Sequence, residues 1–274
     1  MIIEPFRTAD IAHFLALATT ENWVAESWEF EFLLSTFAQG CFVAREDSGE
    51  SIGFVTSMRH ERSGWIGNLI VKSEYRGIGI GDKLFIRALE ALRLSGVETF
   101  WLTASKSGRS LYEKYGFSDI DNIIRWVGSG RQRTGDNRGA VGHEMVAESS
   151  HKLDTQAWGD RREILFCKTA HRGVILQNES GFLVLQPCGN AVQFGSFSAL
   201  NDGTAENLFD EAAKTIAFGT RFLLDAPVSN QTALRLFNRK KMRIAGSNSL
   251  MYAGIKPGFR PDLIFGLATM GSCG

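Results

Sequence analysis

Neither sign of charge predominates in this chain: 30 lysines and arginines balance 30 aspartates and glutamates over 274 residues. A balanced surface offers no overall basic field, so neither nucleic acid nor an anionic membrane is expected as a partner. Cysteine is also sparse. Cys41, Cys167, Cys188 and Cys273 lie far apart with no C-x-x-C pair, and His13, His60, His143, His151 and His171 form no close ligand pattern with them in sequence. That spacing predicts neither a disulfide framework nor a metal site. No apolar run is long enough to span a bilayer, and the start Met1-Ile2-Ile3-Glu4-Pro5-Phe6-Arg7 lacks a signal peptide's charged and apolar blocks. The cytoplasm is the expected compartment. What the chain does have is 44% apolar residues, enough core for one large domain or two of ordinary size.

The most informative stretch is Arg76-Gly77-Ile78-Gly79-Ile80-Gly81. It follows a strand-like run at 65–71 and opens a helix-like run at 82–94. A strand, a glycine turn and a helix N-terminus together make an anion cradle, because free backbone N–H groups and the helix dipole converge on one point. Glycines at alternate positions permit close backbone approach, and Arg76 adds a fixed positive charge. A pyrophosphate is the expected anion. The spacing differs from the dinucleotide fingerprint, since Asp82 stands where its third glycine belongs, and the lysine and hydroxyl of a triphosphate loop are missing.

Upstream, 2–7 reads as a strand, 11–19 and 27–37 as helices, and 41–45 and 51–58 as paired strands. Downstream, 98–103 reads as a strand and 105–115 as a helix ending at Gly116. The helix carries Leu111-Tyr112-Glu113-Lys114-Tyr115-Gly116-Phe117. Here the sequence resembles the GCN5-related N-acetyltransferases (GNAT). The R-G-x-G-x-G turn is similar to their acetyl-CoA pyrophosphate loop, and L-Y-E-K-Y-G-F to their later L-Y-x-K-x-G-F motif. The specific motifs are confined to residues 65–117.

The second half contains a faint copy of the first. Placing Gly81 on Gly203 aligns helical patterns at 82–94 and 205–217, then Trp101-Leu102-Thr103-Ala104 with Leu223-Leu224-Asp225-Ala226, and Leu111-Tyr112 with Leu236-Phe237. The copy keeps apolar pattern and loses chemistry, with one glycine and no arginine in its loop and no hydroxyl at Phe237. With Leu153-Asp154, Gly159-Asp160-Arg161 and Asp262-Leu263-Ile264-Phe265-Gly266-Leu267-Ala268-Thr269-Met270, the chain resembles a bacterial subgroup in which an acetyltransferase domain is followed by a degenerate one. The expected fold class is α/β, with tandem GNAT-like domains that are each a mixed, mostly antiparallel sheet flanked by helices. The expected divisions are an acetyl-CoA-binding domain at 1–130, a polar linker at 131–150 and a degenerate domain at 151–274.

The resemblance implies an acyltransferase that moves the acetyl group of acetyl-CoA to an amine of a small molecule or peptide by direct attack. It implies cofactor contacts from Leu69, Ile70, Val71, Arg76, Gly77, Ile78, Gly79, Ile80, Gly81, Asp82 and Ser105. A main-chain N–H of Leu69 or Ile70 would face the thioester oxygen, and Tyr112 would protonate the departing thiolate of coenzyme A. Tyr115 reads as packing or as a cofactor contact. Some family members carry a glutamate where Asn68 stands, so the base is open: water held by Asn68, or Glu21, Glu29, His60 or Glu61. Glu21, Trp23, Glu26 and Trp28 fall where the first two helices meet, a region that suits a cationic amine. No metal is expected. The second half would cover the acceptor cleft or pack a homodimer, and the competing reading is an acyl-CoA sensor without efficient turnover.

Overall fold

The computed structural model describes residues 1–130, 145–269 and 271–274. Most of the expected linker, 131–144, lies outside the described residues. In the first half the strands are β1 (Ile2–Pro5), β2 (Phe42–Arg45), β3 (Ser51–Arg59), β4 (Ser63–Val71), β5 (Thr99–Ala104) and β6 (Ser118–Ser129). The helices are α1 (Ile11–Thr20), α2 (Ser27–Phe37), α3 (Ile80–Leu94) and α4 (Arg109–Glu113). The second half adds α5 (Glu148–Trp158), α6 (Glu163–Arg172), β7 (Val174–Asn178), β8 (Gly181–Cys188), β9 (Ala191–Ala199), α7 (Asp202–Thr215), β10 (Arg221–Pro227), α8 (Gln231–Arg239), β11 (Arg243–Gly254) and β12 (Ile264–Gly266). No helix among the described residues is long and apolar enough to cross a membrane.

Expected and observed elements agree closely through residue 104. The helix expected over 105–115 is shorter, because Ser105 to Gly108 forms a turn in which the Ser105 hydroxyl accepts from the Gly108 N–H at 3.2 Å. The polar composition from Gly128 onward suggests a loop, yet Gly128 and Ser129 continue β6. They are held there by pairing with Phe222 and Arg221 of β10.

The sheet runs β1-β2-β3-β4-β5-β11-β6-β10-β9-β8-β7, with β12 beside β9. Its order crosses the halves. Strand β11 of the second half lies between β5 and β6 of the first, and β6 lies between β11 and β10. Each half therefore completes the sheet of the other, and the division at 130 to 151 separates helices but not strands. The α3 face of the first sheet buries Ile66, Leu84, Phe85, Leu89 and Leu102, and α7 and α8 cover a matching core around Phe194, Phe209 and Phe237. Between the halves, Trp65 and Trp101 pack with Trp158, Phe182 and Ile264. Asp160 ties the same boundary from the second half, accepting from the Ser63 N–H at 2.8 Å and the Ser63 hydroxyl at 2.6 Å.

The shared strands predict how the chain responds to cutting. Cleavage engineered between Gly130 and Met145 should leave two pieces that co-elute in size exclusion, because the β6–β11 and β6–β10 ladders survive the cut. A fragment ending at Gly130, expressed alone, exposes the edges of β5 and β6 and should lack a cooperative thermal transition. A cooperative, monomeric fragment would show that the exchanged strand is dispensable.

Candidate active site

Strands β4 and β5 are parallel neighbours only at Ser63↔Thr99, Gly64↔Phe100 and Trp65↔Trp101. Beyond Trp65 the ladder ends and the two strands diverge. A bulge in β4 assists this. Register shifts between Phe54↔Ile70 and Thr56↔Gly67, so Asn68 and Leu69 face a single residue, Val55. Asn68 takes φ 54°, a left-handed conformation that asparagine tolerates, and its Nδ2 donates to the Thr56 hydroxyl at 3.0 Å.

The diverging strands lead to the glycine turn. Gly77 and Gly79 have φ 80° and 85°, and a side chain at either would meet open space, so they are required for backbone direction rather than for packing. Gly79 occupies the N-cap of α3, and among the described residues no side chain caps that helix. Its first N–H groups, including those of Gly81 and Asp82, have no intrahelical acceptor. Arg76 beside the turn donates to the Val71 carbonyl at 2.8 Å and pairs with Glu21 at 2.5 Å. Both partners of that pair are substantially exposed, so it is worth under about 1 kcal/mol and yields readily to a stronger anion.

The aligned positions in the second half are filled by the chain itself. Strands β9 and β10 are parallel only from Ala191↔Arg221 to Gln193↔Leu223 and then separate. Into that gap passes β12, pairing Ile264 with Ser198 and Gly266 with Phe197, while the Leu267 N–H donates to the Asp225 carbonyl at 2.9 Å. At the N-terminus of α7 the Asn201 side chain accepts from the Thr204 N–H at 2.9 Å. Such a cap contributes roughly 1 kcal/mol and occupies the place an anion would take. Asn230 caps α8 and donates its Nδ2 to the Ile264 carbonyl at 2.8 Å. It now fastens the strand that fills the gap.

A cavity of about 360 Å³ lies where the two halves meet. On the first-half side it is lined by Trp23, Glu26, Trp28, Glu29, Asn68 and Leu69, with Ser105 and Tyr112 toward the glycine turn. Gln186, Pro187, Cys188, Gln193, Thr269 and Ser272 supply the second-half wall. Of the residues expected to contact the cofactor, Leu69 and Ser105 line this cavity, as does the expected acid Tyr112. Gly77, Ile78, Gly79, Ile80, Gly81 and Asp82 do not line it. Ile78 is exposed, whereas Ile80 and Ile70 point into separate cores and Val71 packs partly against the α3 core. The Tyr115 ring packs at a tilt of 47° against Phe85, with centroids 5.2 Å apart.

The open question of the base narrows by position. His60 is buried outside the cavity, and burial with the nearby Arg162 charge pushes it down to about 3, so it stays neutral. Glu61 is exposed and does not line the cavity, and Glu21 is engaged with Arg76. Glu29 lines the cavity, and burial raises its carboxyl to about 7, partly offset by a hydrogen bond from Ser272. Glu26 is occupied differently: it accepts from Trp28 Nε1 at 3.0 Å and the Gly189 N–H at 3.1 Å, and Arg172 lies 3.4 Å away. Arg125 makes a two-pronged pair with buried Asp225, both contacts 2.8 Å. Glu29 is thus the cavity carboxylate with no cation in an ion pair among the described residues.

Tyr112 is held against Phe85 with ring centroids 5.0 Å apart, and burial pushes its phenol up to about 12. It remains a proton donor throughout the neutral range. Arg125, which also lines the cavity, Thr269 and Ser272 were not expected at the site. Their positions depend on strand exchange and on the path after β12, neither of which has a local sequence signature.

Two different family models, each described as an acetyltransferase (GNAT) domain, match one region each, residues 38–119 and residues 150–266. The chain belongs to the GNAT acetyltransferase superfamily and carries two GNAT domains in tandem. The crystal structure of a Pyrococcus horikoshii protein assigned as an acetyltransferase is similar over 100% of this chain and 95% of that one, with TM-score 0.84 and 24% identity. A GCN5-related N-acetyltransferase from Sphaerobacter thermophilus is similar over 94% and 98% of the two chains, with TM-score 0.66 and 16% identity. At those identities the likeness is one of fold. Among curated proteins, the [ribosomal protein bS18]-alanine N-acetyltransferase of Haemophilus influenzae is 32% identical over 77 residues. That match spans 27% of this chain and about half, 53%, of the relative.

The raised carboxyl of Glu29 has consequences for pH. A folded-state value of about 7 against the ordinary 4.5 means that Glu29 costs stability by an amount that is absent below 4.5, grows as pH rises from 4.5 to about 7 and stays constant above it. Glu29→Gln should therefore raise Tm by more at about pH 8 than at about pH 5, read by thermal melts at both. An equal shift at both values would show that Glu29 titrates normally.

Proposed function

We propose that the first half binds acetyl-CoA and transfers its acetyl group directly to the amine of a small molecule or peptide, while the second half supplies a wall of the acceptor cleft. The observation that carries this reading is the contrast between equivalent sites. The β4/β5 gap and the α3 N-terminus are open beside Arg76, Gly77 and Gly79, whereas β12 and Asn201 fill their counterparts.

In this reading the amides of residues 77–82 and Arg76 hold the pyrophosphate, which draws Arg76 away from Glu21. The pantetheine arm follows the edge of Leu69, Ile70 and Val71. Glu29 receives the acceptor's ammonium and takes its proton, a task suited to a carboxyl near 7. As the nitrogen bonds to the carbonyl carbon, an N–H of Leu69 or Ile70 stabilises the oxyanion. Tyr112 protonates the sulfur as the C–S bond breaks, and the second proton leaving the nitrogen restores the phenol, so that the products are the amide, free coenzyme A and a protonated Glu29.

The calorimetric expectation is one equivalent of coenzyme A per chain, with Gly79→Asp abolishing binding by placing a carboxylate at the phosphates. A second equivalent, or unchanged affinity in the variant, would overturn the assignment. Tyr112→Phe keeps the ring and removes the donor, so thiol release with the best amine of a panel should fall roughly 10²- to 10⁴-fold at nearly unchanged cofactor affinity. Turnover within a few-fold of the unsubstituted chain would make Tyr112 a packing residue. Tight coenzyme A binding with no turnover across the panel would favour the acyl-CoA sensor.

A further inference from the structure

Helices α5 and α6 lie on the second half, and the acetyl-transfer reading uses none of the groups between them. There the sequence spacing gave no reason to expect a metal site, but the fold brings three unlike donors together. The ligand atoms of His151, Glu163 and Cys167 all fall within 4.8 Å of one another. His151 Nε2 and Cys167 Sγ are 4.0 Å apart. Glu163 and Cys167 are one turn apart on α6, and His151 reaches them from α5 with its ring edge against Phe166 at 5.3 Å between centroids.

We propose that His151, Glu163 and Cys167 form a binding site for a zinc-class divalent cation that clamps α5 to α6. The chemistry is selective. A thiolate and an imidazole suit zinc or cobalt, whereas magnesium and calcium prefer sets made only of oxygen. With Zn–S near 2.3 Å and Zn–N near 2.0 Å, a tetrahedral centre needs sulfur and nitrogen about 3.6 Å apart, a small contraction from the observed separation. Glu163 Oε2 pairs with Arg161 at 2.6 Å, and its second oxygen can face the metal. His151 and Cys167 are half-buried and Glu163 is exposed, so solvent can supply a fourth ligand.

The clamp would act at the acceptor cleft through α6. That helix ends at Arg172, whose guanidinium lies 3.7 Å from the Trp28 ring centroid and beside Glu26. Fixing α6 to α5 fixes the residue that backs both cavity side chains.

The test is titration of the full chain with Co²⁺ followed by optical spectroscopy. The expected result is one equivalent of tetrahedral cobalt with a thiolate charge-transfer band, displaced by Zn²⁺. Losing a direct ligand costs at least the roughly 10–100-fold typical of an outer-shell partner, so Cys167→Ser and His151→Ala should each remove the spectrum, and Glu163→Gln should weaken binding at least about tenfold. In the unsubstituted chain, Zn²⁺ should also shield Cys167 from N-ethylmaleimide, read by peptide mass. No spectrum at millimolar cobalt, a spectrum unchanged by Cys167→Ser, or alkylation of Cys167 unaffected by Zn²⁺ would overturn the proposal.

Discussion

The antiparallel pairing of β6 with β11 is the contact on which the rest of the structure depends. These two long strands, Ser118–Ser129 and Arg243–Gly254, come from opposite halves and sit side by side at the centre of one continuous sheet. Each also pairs with a strand of the other half, β11 with β5 and β6 with β10. Pairing of this kind fixes the halves by main-chain hydrogen bonds, not only by side-chain packing. It follows that the cavity between them has a defined shape. The tryptophans at 65, 101 and 158 and the Asp160 contacts to Ser63 reinforce an arrangement that the ladder already determines.

The two halves show how one fold keeps or loses a site. Both contain a pair of parallel strands that separates after three residues, joined by a helix that starts just past the first strand of the pair. In the first half the gap and the helix end remain open. In the second, β12 takes up the backbone groups of the gap, Asn201 caps the helix, and Asn230 secures β12. These replacements satisfy the same polar groups that a pyrophosphate and a pantetheine arm would satisfy. Past β12 the chain returns to the first half, where Ser272 reaches Glu29 and a side chain at Gly67 would collide with the backbone of Gly271 and Ser272. The segment that closes one site therefore lines the other.

Much of the first half was legible in the sequence because its signals are local. Gly77 and Gly79 between a strand and a helix, and Tyr112 on the helix after the next strand, need only short-range patterns to be placed. The tandem repeat was legible for the same reason. Strand exchange was not, since the apolar run Leu250-Met251-Tyr252-Ala253 in β11 marks a buried stretch but not which strand lies beside it. Glu29 appeared among four equivalent candidates because its raised carboxyl depends on burial in a cavity whose far wall, Gln186 to Ser272, lies more than 150 positions away in the chain. The grouping of His151 with Cys167 was hidden likewise, since it arises from the packing of two helices.

The central claim is that only the first half keeps a site for the cofactor, and a crystal structure with coenzyme A bound tests it most directly. The account predicts pyrophosphate on the amides of residues 77–82, pantetheine along Leu69 to Val71 in the β4/β5 gap, and sulfur facing Tyr112, with β12 still paired to β9. Coenzyme A lodged between β9 and β10 with β12 displaced, or a β4/β5 gap left empty at saturating ligand, would contradict it.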